Sequence, residues 1–474
     1  MAVTVNGASP TKAQKADLRA AFELVPATAQ TSAANPIIVA HRNAPMMWPE
    51  NSLQGARALY AAGIRHIEVD VQRCQNGGLI IMHDSDVSRT TNGAGAINSL
   101  TVEQVRGLVV DHMDSGAGCS APGYAREQPP MLSELLDWAA DKPDLVLVIE
   151  PKDDSCEQII AELRIRNWPT DRVIFETTAD NIGAALADGW QCWRISFTTT
   201  PSTAYIDETA AQGYSHIAFE YPYWTAPLVT YAKGKGLKTM AFTLNRRHQY
   251  ASLKAMGVEY IVSDDPIYLA WGEASKRWTK SRHGSAKFAP GMLSGRNAVT
   301  NDITRGKFDA PNGLHGWATA AQADNVLHGY LCPIKGDASA NSFTITGKLK
   351  FVTVAEDTRN LQVFVCAGSD EAFTDTLNYM TGYNVLFRRN GTVQIYRVDR
   401  TNATTGTSTS IASQTGTALT LTQVYDFTIT VTPTQVSASC NGVTATAADA
   451  NYRGGYLHTG RNGCEGYLRI DNVT

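Results

Sequence analysis

Several features are missing from this 474-residue sequence, and each absence excludes a class of protein. No apolar run reaches the roughly 18 residues that a membrane-spanning helix needs. Lys12, Lys15 and Asp17 interrupt the N-terminal segment, so it is not expected to be a secretion signal. The 41 Lys and Arg residues against 45 Asp and Glu give a net charge of −4, without the basic excess typical of nucleic-acid binders. No membrane span and no nucleic-acid partner are predicted.

Cysteine is present but carries no recognisable metal or redox motif. The eight cysteines are scattered, and none forms a CxxC pair or a zinc-ligand spacing. Reduced, structural thiols are therefore expected, with a Cys440–Cys464 disulfide left open as an alternative.

The chain divides into four segments by composition and residue pattern. More than one domain is expected, because 474 residues are too many for a single hydrophobic core of ordinary size. Residues 1–36 are polar, with a helix predicted near Thr11–Leu24 followed by a linker. Residues 37–271 alternate strand-like and helical patterns, 272–305 form a second linker, and 306–474 are rich in Thr, Ser, Gly and Asn.

The middle segment predicts an irregular (β/α)8 TIM barrel. Helical patterns such as Ser52–Ala62 and Leu132–Ala140 separate most of its strand candidates. There are nine candidates, and the interval from Asp70 to Leu79 is too short for a helical crossover, so the irregularity is expected there. The candidates are Ile37–Ala40, Ile67–Val71, Leu79–Met82, Leu145–Glu150, Val173–Phe175, Trp193–Ser196, His216–Phe219, Lys238–Phe242 and Tyr260–Val262.

The last segment predicts an all-β sandwich of jelly-roll or concanavalin-like type. Such a domain could bind carbohydrate, support oligomerisation or simply pack. Its strand candidates are Ser342–Val352, Leu361–Ala367, Asn384–Arg388, Thr392–Val398, Tyr425–Val431, Gln435–Cys440 and the C-terminal run Gly466–Val473.

Acidic residues occur near the ends of the predicted barrel strands, where barrel enzymes place their active sites. Glu68 and Asp70 stand two positions apart on one strand and so point to the same face, and Glu150 ends another. Inward-facing carboxylates repel one another unless they are paired or hold a cation. Three carboxylates predict one site for a hard divalent cation, Ca²⁺ or Mg²⁺.

Histidines and cations follow the same strand ends. His41 and His83 can divide the roles of general acid and general base near neutral pH. Arg42 and Lys152 can neutralise a phosphate, although Lys152 could also be a surface cation. His66 and His112 lie outside this pattern and are expected to be structural.

The order of these segments resembles the glycerophosphodiester phosphodiesterase family over about half of the chain. Each motif alone is weak, but several in the right order are specific. The family usually has Gly where this chain has Asn43. The matching segments are His41-Arg42, Pro49-Glu50-Asn51-Ser52, Glu68-Val69-Asp70-Val71-Gln72, Gly77-Gly78, His83-Asp84, Arg89-Thr90-Thr91-Asn92-Gly93, Pro130-Met131-Leu132, Glu150-Pro151-Lys152, Phe242-Thr243-Leu244-Asn245 and Ser263-Asp264-Asp265-Pro266.

The resemblance implies a phosphodiesterase that cleaves next to glycerol. It implies that a metal-bound glycerol hydroxyl attacks phosphorus, that a cyclic phosphate forms and that water then opens the ring. It assigns the acid and base roles to His41 and His83 in an undecided order. The metal ligands would be Glu68, Asp70 and Glu150.

Other residues near the mouth keep two interpretations. Glu50 could contact substrate or the metal shell, or only shape its loop. Tyr221 and Trp224 could line a substrate subsite or pack. Asp264 and Asp265 are expected to be turn and capping residues.

The biological setting is also open at this level. Val5–Pro10 loosely resembles openings of phage tail proteins, which suggests a tail depolymerase, with a homotrimer conceivable, acting on teichoic acid or capsule. The alternatives are a cytoplasmic enzyme that recycles lipid-derived glycerophosphodiesters, a phospholipase C- or D-like lyase, and a non-catalytic adhesin.

Overall fold

A computed structural model describes residues 35–45, 48–110, 127–177, 181–270, 306–309, 314–317, 326–333, 341–368, 381–400 and 406–473. The predicted helix near Thr11–Leu24, the predicted linker 272–305 and His112 lie outside the described residues. The chain divides into two compact units, one holding the described residues up to 270 and the other those from 306 onward. None of the helices in these ranges has the length and apolar character to cross a membrane.

The first unit is a closed barrel of eight parallel strands, as predicted. The strands of this unit, including the short β3, are β1 (Ile37–Ala40), β2 (His66–Arg73), β3 (Leu79–Ile81), β4 (Val146–Pro151), β5 (Val173–Thr177), β6 (Gln191–Ser196), β7 (His216–Glu220), β8 (Lys238–Phe242) and β9 (Tyr260–Ser263). Each barrel strand pairs in parallel with the next along the order β1-β9-β8-β7-β6-β5-β4-β2, and pairing of β1 with β2 closes the ring.

The strand candidate in excess of eight, Leu79–Met82, does form a strand, β3, but it is not one of the parallel strands of the barrel. β3 pairs antiparallel with β2, with Val71 opposite Ile81 and Arg73 opposite Leu79. The expectation of an irregularity between Asp70 and Leu79 is therefore confirmed as a hairpin on the β2 edge. A turn at Gly77 (φ +87°) joins the two strands, a conformation that glycine adopts without steric cost.

Helices follow most barrel strands and cover them. Ser52 caps the first helix, because its Oγ accepts a hydrogen bond from Gly55 N–H at 3.2 Å. The helices are α1 (Leu53–Ala61), α2 (Val102–Arg106), α3 (Leu132–Ala139), α4 (Cys156–Ile165), α5 (Gly183–Ala187), α6 (Thr203–Ala211), α7 (Ala226–Gly234), α8 (Arg247–Met256) and α9 (Pro266–Ala270).

Strand alternation sorts the barrel side chains into two cores. One set packs outward against the helices, and the other fills the barrel interior. The interior set includes Val39, Val148, Ile174, Trp193 and Met240. Side chains two positions further along these strands share the inward direction and lie at the C-terminal mouth.

The opposite end of the barrel holds a neutral aromatic cluster. The His216 ring lies 5.3 Å from Trp193 and 5.1 Å from Tyr260, and the His66 ring lies 6.0 Å from Tyr260. Burial, followed by the charge of Lys238, lowers the pKa of His216 to about 2 and that of His66 to about 4. Both imidazoles therefore stay uncharged at neutral pH, in agreement with a structural role for His66.

The second unit consists of two antiparallel sheets, consistent with the predicted β-sandwich. The strands are β10 (Gly306–Asp309), β11 (Leu314–Trp317), β12 (Val326–Pro333), β13 (Phe343–Val354), β14 (Asn360–Ala367), β15 (Gly382–Arg388), β16 (Thr392–Arg400), β17 (Gly406–Thr415), β18 (Val424–Val431), β19 (Gln435–Cys440), β20 (Val443–Ala448), β21 (Tyr456–Asn462) and β22 (Cys464–Val473). The sheet orders are β10-β11-β22-β13-β18-β19-β20 and β12-β21-β14-β15-β16-β17.

One apolar core lies between these two sheets, and it includes Phe351, Val363, Phe387 and Ile429. The C-terminal strand β22 pairs with β13 and β11 inside its sheet rather than at an edge. Cys440 and Cys464 are both buried free thiols, so the alternative of a disulfide between them is wrong.

The neutral aromatic cluster around His216 generates a prediction about stability at acidic pH. The unfolded chain protonates His216 below pH of about 6.5, whereas the folded barrel keeps it neutral, so each further pH unit costs up to about 1.4 kcal/mol. In the His216→Phe variant, the unfolding free energy should fall less steeply between pH 6.5 and 4.5. The slope should be smaller by up to about 1.4 kcal/mol per pH unit. Urea unfolding in chelator measures both slopes, and equal slopes would contradict the assignment.

Candidate active site

The mouth of the barrel collects the polar side chains that follow or end the strands. His41 follows β1, Glu68 and Asp70 lie on β2, and Glu150 lies on β4. Val148 faces the interior, so Glu150 faces it too. The predicted convergence of these residues at one end of the barrel thus follows from strand direction and alternation.

A tight turn after β1 brings the main chain to the acidic residues. Arg42, Asn43 and Ala44 all have positive φ (45°, 61° and 64°), which is uncommon for residues other than glycine. Asn tolerates this conformation better than most residues, which explains how Asn43 can replace a glycine. The turn directs the Arg42 N–H to Glu68 Oε2 at 2.6 Å.

Three buried carboxylates stand together at the mouth. One oxygen from each of Glu68, Asp70 and Glu150 lies within 4.8 Å of the others. Burial, and then the charge of Asp70, raises the pKa of Glu68 well above its ordinary value. Burial also raises the pKa of Glu150, although Lys152 opposes the effect.

Two cations and one amide hold this acidic set. Lys152 Nζ lies 2.7 Å from Glu150 Oε2 and 3.2 Å from Asp70 Oδ1, and Arg42 Nε lies 3.6 Å from Asp70 Oδ2. Asn51 Nδ2 donates to Asp70 Oδ2 at 2.8 Å. Burial alone would raise the pKa of Asp70, but Arg42 and Lys152 outweigh it and hold the pKa below its usual range.

The arrangement fits a divalent cation. Glu68 Oε1 is buried and has no hydrogen-bond partner in the described part of the chain. An unpaired buried carboxylate oxygen is costly, and a hard cation that accepts several oxygen ligands would relieve the cost. Glu68, Asp70 and Glu150 are therefore the residues that could hold such an ion.

His41 is oriented by a residue that the sequence suggested only as a turn former. Its Nδ1 lies 2.5 Å from Asp264 Oδ1, and Asp264 is fully buried. Asn245 Nδ2 donates to the other Asp264 oxygen at 2.9 Å. This Asn–Asp–His chain directs the Nε2 edge of His41 away from Asp264, so the expectation for Asp264 understated its role.

His83 has a similar support on the other side. Its Nδ1 lies 2.7 Å from Asp84 Oδ1, and Arg89 binds the same carboxylate. Arg89 also binds Glu50 through two hydrogen bonds of 2.7 and 2.8 Å. Glu50 is only 3% exposed, so its geometry favours positioning Arg89 over touching substrate.

Glu176, near the end of β5, was missed by sequence reasoning. It is 7% exposed, and burial, then the charges of Glu150 and Asp70, raise its pKa well above the ordinary value. Strand alternation could have found it, because Ile174 faces the barrel interior two residues earlier.

The two aromatic candidates occupy different environments. Tyr221 is half-buried just after β7. Trp224 is 1% exposed, donates through Nε1 to the Met240 carbonyl at 2.6 Å and packs on Phe219 with ring centroids 4.8 Å apart. A substrate-binding role for Trp224 does not fit this burial, whereas Tyr221 keeps one.

Comparison with known proteins shows which family model and which relatives the barrel sequence is similar to. Residues 41–268 match the model of the glycerophosphoryl diester phosphodiesterase family. The chain is 26% identical over 251 residues to a glycerophosphodiester phosphodiesterase of Caldanaerobacter subterraneus subsp. tengcongensis, covering 48% of this chain and 94% of that protein.

Two solved structures are also similar. One is a phosphodiesterase from Oleispira antarctica in complex with the product sn-glycerol-3-phosphate: 22% identity, TM-score 0.41, coverage 52% of this chain and 97% of that one. The other is a glycerophosphodiester phosphodiesterase from Agrobacterium tumefaciens: 19% identity, TM-score 0.41, coverage 50% and 99%.

The carboxylate set generates a prediction about cation binding. Replacing Glu68 with Gln or Asp70 with Asn should weaken Ca²⁺ or Mg²⁺ binding at least about tenfold, because each change removes a charged oxygen. Calorimetric titration of the apo-protein measures the effect. Glu134→Gln is the control, since Glu134 pairs with Arg106 outside the mouth. Equal affinities in all four proteins would refute the site.

Proposed function

We propose that the barrel domain, whose residues 41–268 match the model of the glycerophosphoryl diester phosphodiesterase family, hydrolyses glycerophosphodiesters with a divalent cation. The observation that carries this proposal is the set of three carboxylates flanked by two separately supported histidines. His83 lies close enough to influence the pKa values of both Asp70 and Glu150, which supports one continuous site.

Glu68, Asp70 and Glu150 would hold the cation, which when bound supplies Lewis acidity toward the phosphoryl group. Arg42 and Lys152 lie against the same carboxylates and would face the anionic phosphodiester. Their charges stabilise the negative charge that builds on the phosphoryl oxygens during transfer.

The two histidines would divide the proton transfers. One imidazole takes the proton of a glyceryl hydroxyl as its oxygen attacks phosphorus, and the other gives a proton to the departing alcohol. The first step forms a P–O bond within the substrate, breaks the bond to the alcohol and leaves a cyclic phosphate. Water then opens the ring with the two imidazoles in reversed roles, and Asp264 and Asp84 keep each ring in place.

We further propose that a glycerol-phosphate-containing surface polymer, such as teichoic acid or capsule, is the biological substrate. The domain organisation supports this proposal. The barrel that matches this family is followed by a separate sandwich unit, which hydrolysis of small diesters does not require. Recycling of lipid-derived diesters is the competing role, and it would leave the sandwich unexplained.

Product analysis tests the reaction and the substrate together. Glycerophosphocholine and a glycerol-phosphate polymer should be followed by ³¹P NMR with Ca²⁺, with Mg²⁺ and with chelator. We expect cation-dependent conversion in which the polymer is preferred. Conversion of the small diester alone would refute the polymer proposal, and no turnover of either substrate would refute the enzyme assignment in favour of an adhesin.

The histidine roles make a separate prediction. Replacing His41 or His83 with Ala should lower kcat at least about 10²-fold, since each removes a proton-transfer group. The melting temperature should stay close to wild type because both side chains lie at the partly exposed mouth. His216→Phe, at the other end of the barrel, should keep its kcat at neutral pH. Wild-type kcat in either Ala variant would end the assignment.

A further inference from the structure

Glu176 stands at the mouth without a role in the reaction described above. It is the fourth residue of β5, and Ile174 two positions earlier belongs to the interior core. β5 pairs with β4 with Phe175 opposite Ile149, so Glu176 and Glu150 occupy the next positions on adjacent strands. Both face the barrel mouth, about one strand spacing (about 4.8 Å) apart.

The carboxyl of Glu176 is buried with incomplete compensation. Its exposed fraction is 7%, and Oε2 has no hydrogen-bond partner in the described ranges. Glu150, Asp70 and Glu68 add repulsion, which Lys152 and Arg42 offset only in part. A buried carboxyl with an unpaired oxygen lowers stability, so fold stability does not explain why this position carries Glu.

Glu176 is also not a member of the cation set. The ligand atoms of Glu68, Asp70 and Glu150 lie within 4.8 Å of one another, and Glu176 stands beside this group rather than in it. Its Oε2 therefore has neither a place in the cation set nor a hydrogen-bond donor among the described residues, and a donor that arrives with the substrate would satisfy it. A carboxyl oxygen accepts such a bond in either protonation state.

We infer that Glu176 is a specificity-determining residue that accepts a hydrogen bond from a free hydroxyl of the substrate's glyceryl unit. The inference rests on the proposed function, because it needs a glyceryl unit at the mouth. A phosphodiester without such a hydroxyl would leave the buried oxygen unpaired, and a site of this kind rejects an analogue that lacks the donor. Glu176 thus selects polyol phosphates over simple phosphates.

Binding measurements separate this role from a general electrostatic one. Calcium-saturated wild type, Glu176→Leu and Glu176→Gln should be titrated calorimetrically with sn-glycerol 3-phosphate and with inorganic phosphate. The Leu variant should lose at least about tenfold in affinity for glycerol phosphate, and the Gln variant less, because its amide oxygen still accepts. Affinity for inorganic phosphate should be unchanged. Glu259→Gln, at the other end of the barrel, is the matched control.

Each outcome decides the inference. Equal losses for both ligands, or unchanged glycerol-phosphate affinity in the Leu variant, would overturn it. A melting temperature of Glu176→Leu below wild type in chelator would assign Glu176 a structural role and also overturn it, because removing an unpaired buried carboxyl should not destabilise the barrel. A wild-type protein that binds calcium and not glycerol phosphate would overturn the proposed function, and the inference with it.

Discussion

Repulsion among buried carboxylates at the barrel mouth is the constraint on which the rest of the site depends. Glu68, Asp70, Glu150 and Glu176 face one another, and Arg42 and Lys152 offset their charge only in part. Such a cluster is unfavourable in a low-dielectric interior unless rigid partners hold it. Eight paired parallel strands supply that rigidity, because the strand backbones cannot move apart without losing ladder hydrogen bonds.

The pairing of β1 with β9, which forms part of the closed barrel, also orients His41. β1 pairs with β9 with Ala40 opposite Ser263, so the residues that follow, His41 and Asp264, come side by side. His83 obtains its support locally, from the adjacent Asp84 and from Arg89 five residues beyond it. One histidine therefore depends on the ring of strands, and the other on its own loop, which Glu50 anchors through Arg89.

Sequence patterns predicted strands best where apolar residues are dense. The barrel strands and β14 are buried on both faces and form short apolar runs, whereas β13 and β18 alternate between buried and more exposed positions. The predicted bounds of these strands lie within a few residues of the observed ones. β17 (Gly406–Thr415) was not predicted, because its Ser- and Thr-rich residues are mostly exposed on an edge strand and leave no apolar period. For Trp224 the sequence left a subsite role and a packing role open, and its burial favours packing.

The sequence by itself determined the barrel, the acidic set on β2 and β4, and the two histidines, because strand direction and the two-residue period of side chains place these residues at one mouth. Tertiary structure alone decided which groups support them. Asp264 lies 223 residues from His41 and Glu50 lies 39 from Arg89, separations that no local period connects. The raised pKa of Glu176 and its unpaired oxygen likewise depend on tertiary structure, because both arise only when folding buries the carboxyl among other charged groups.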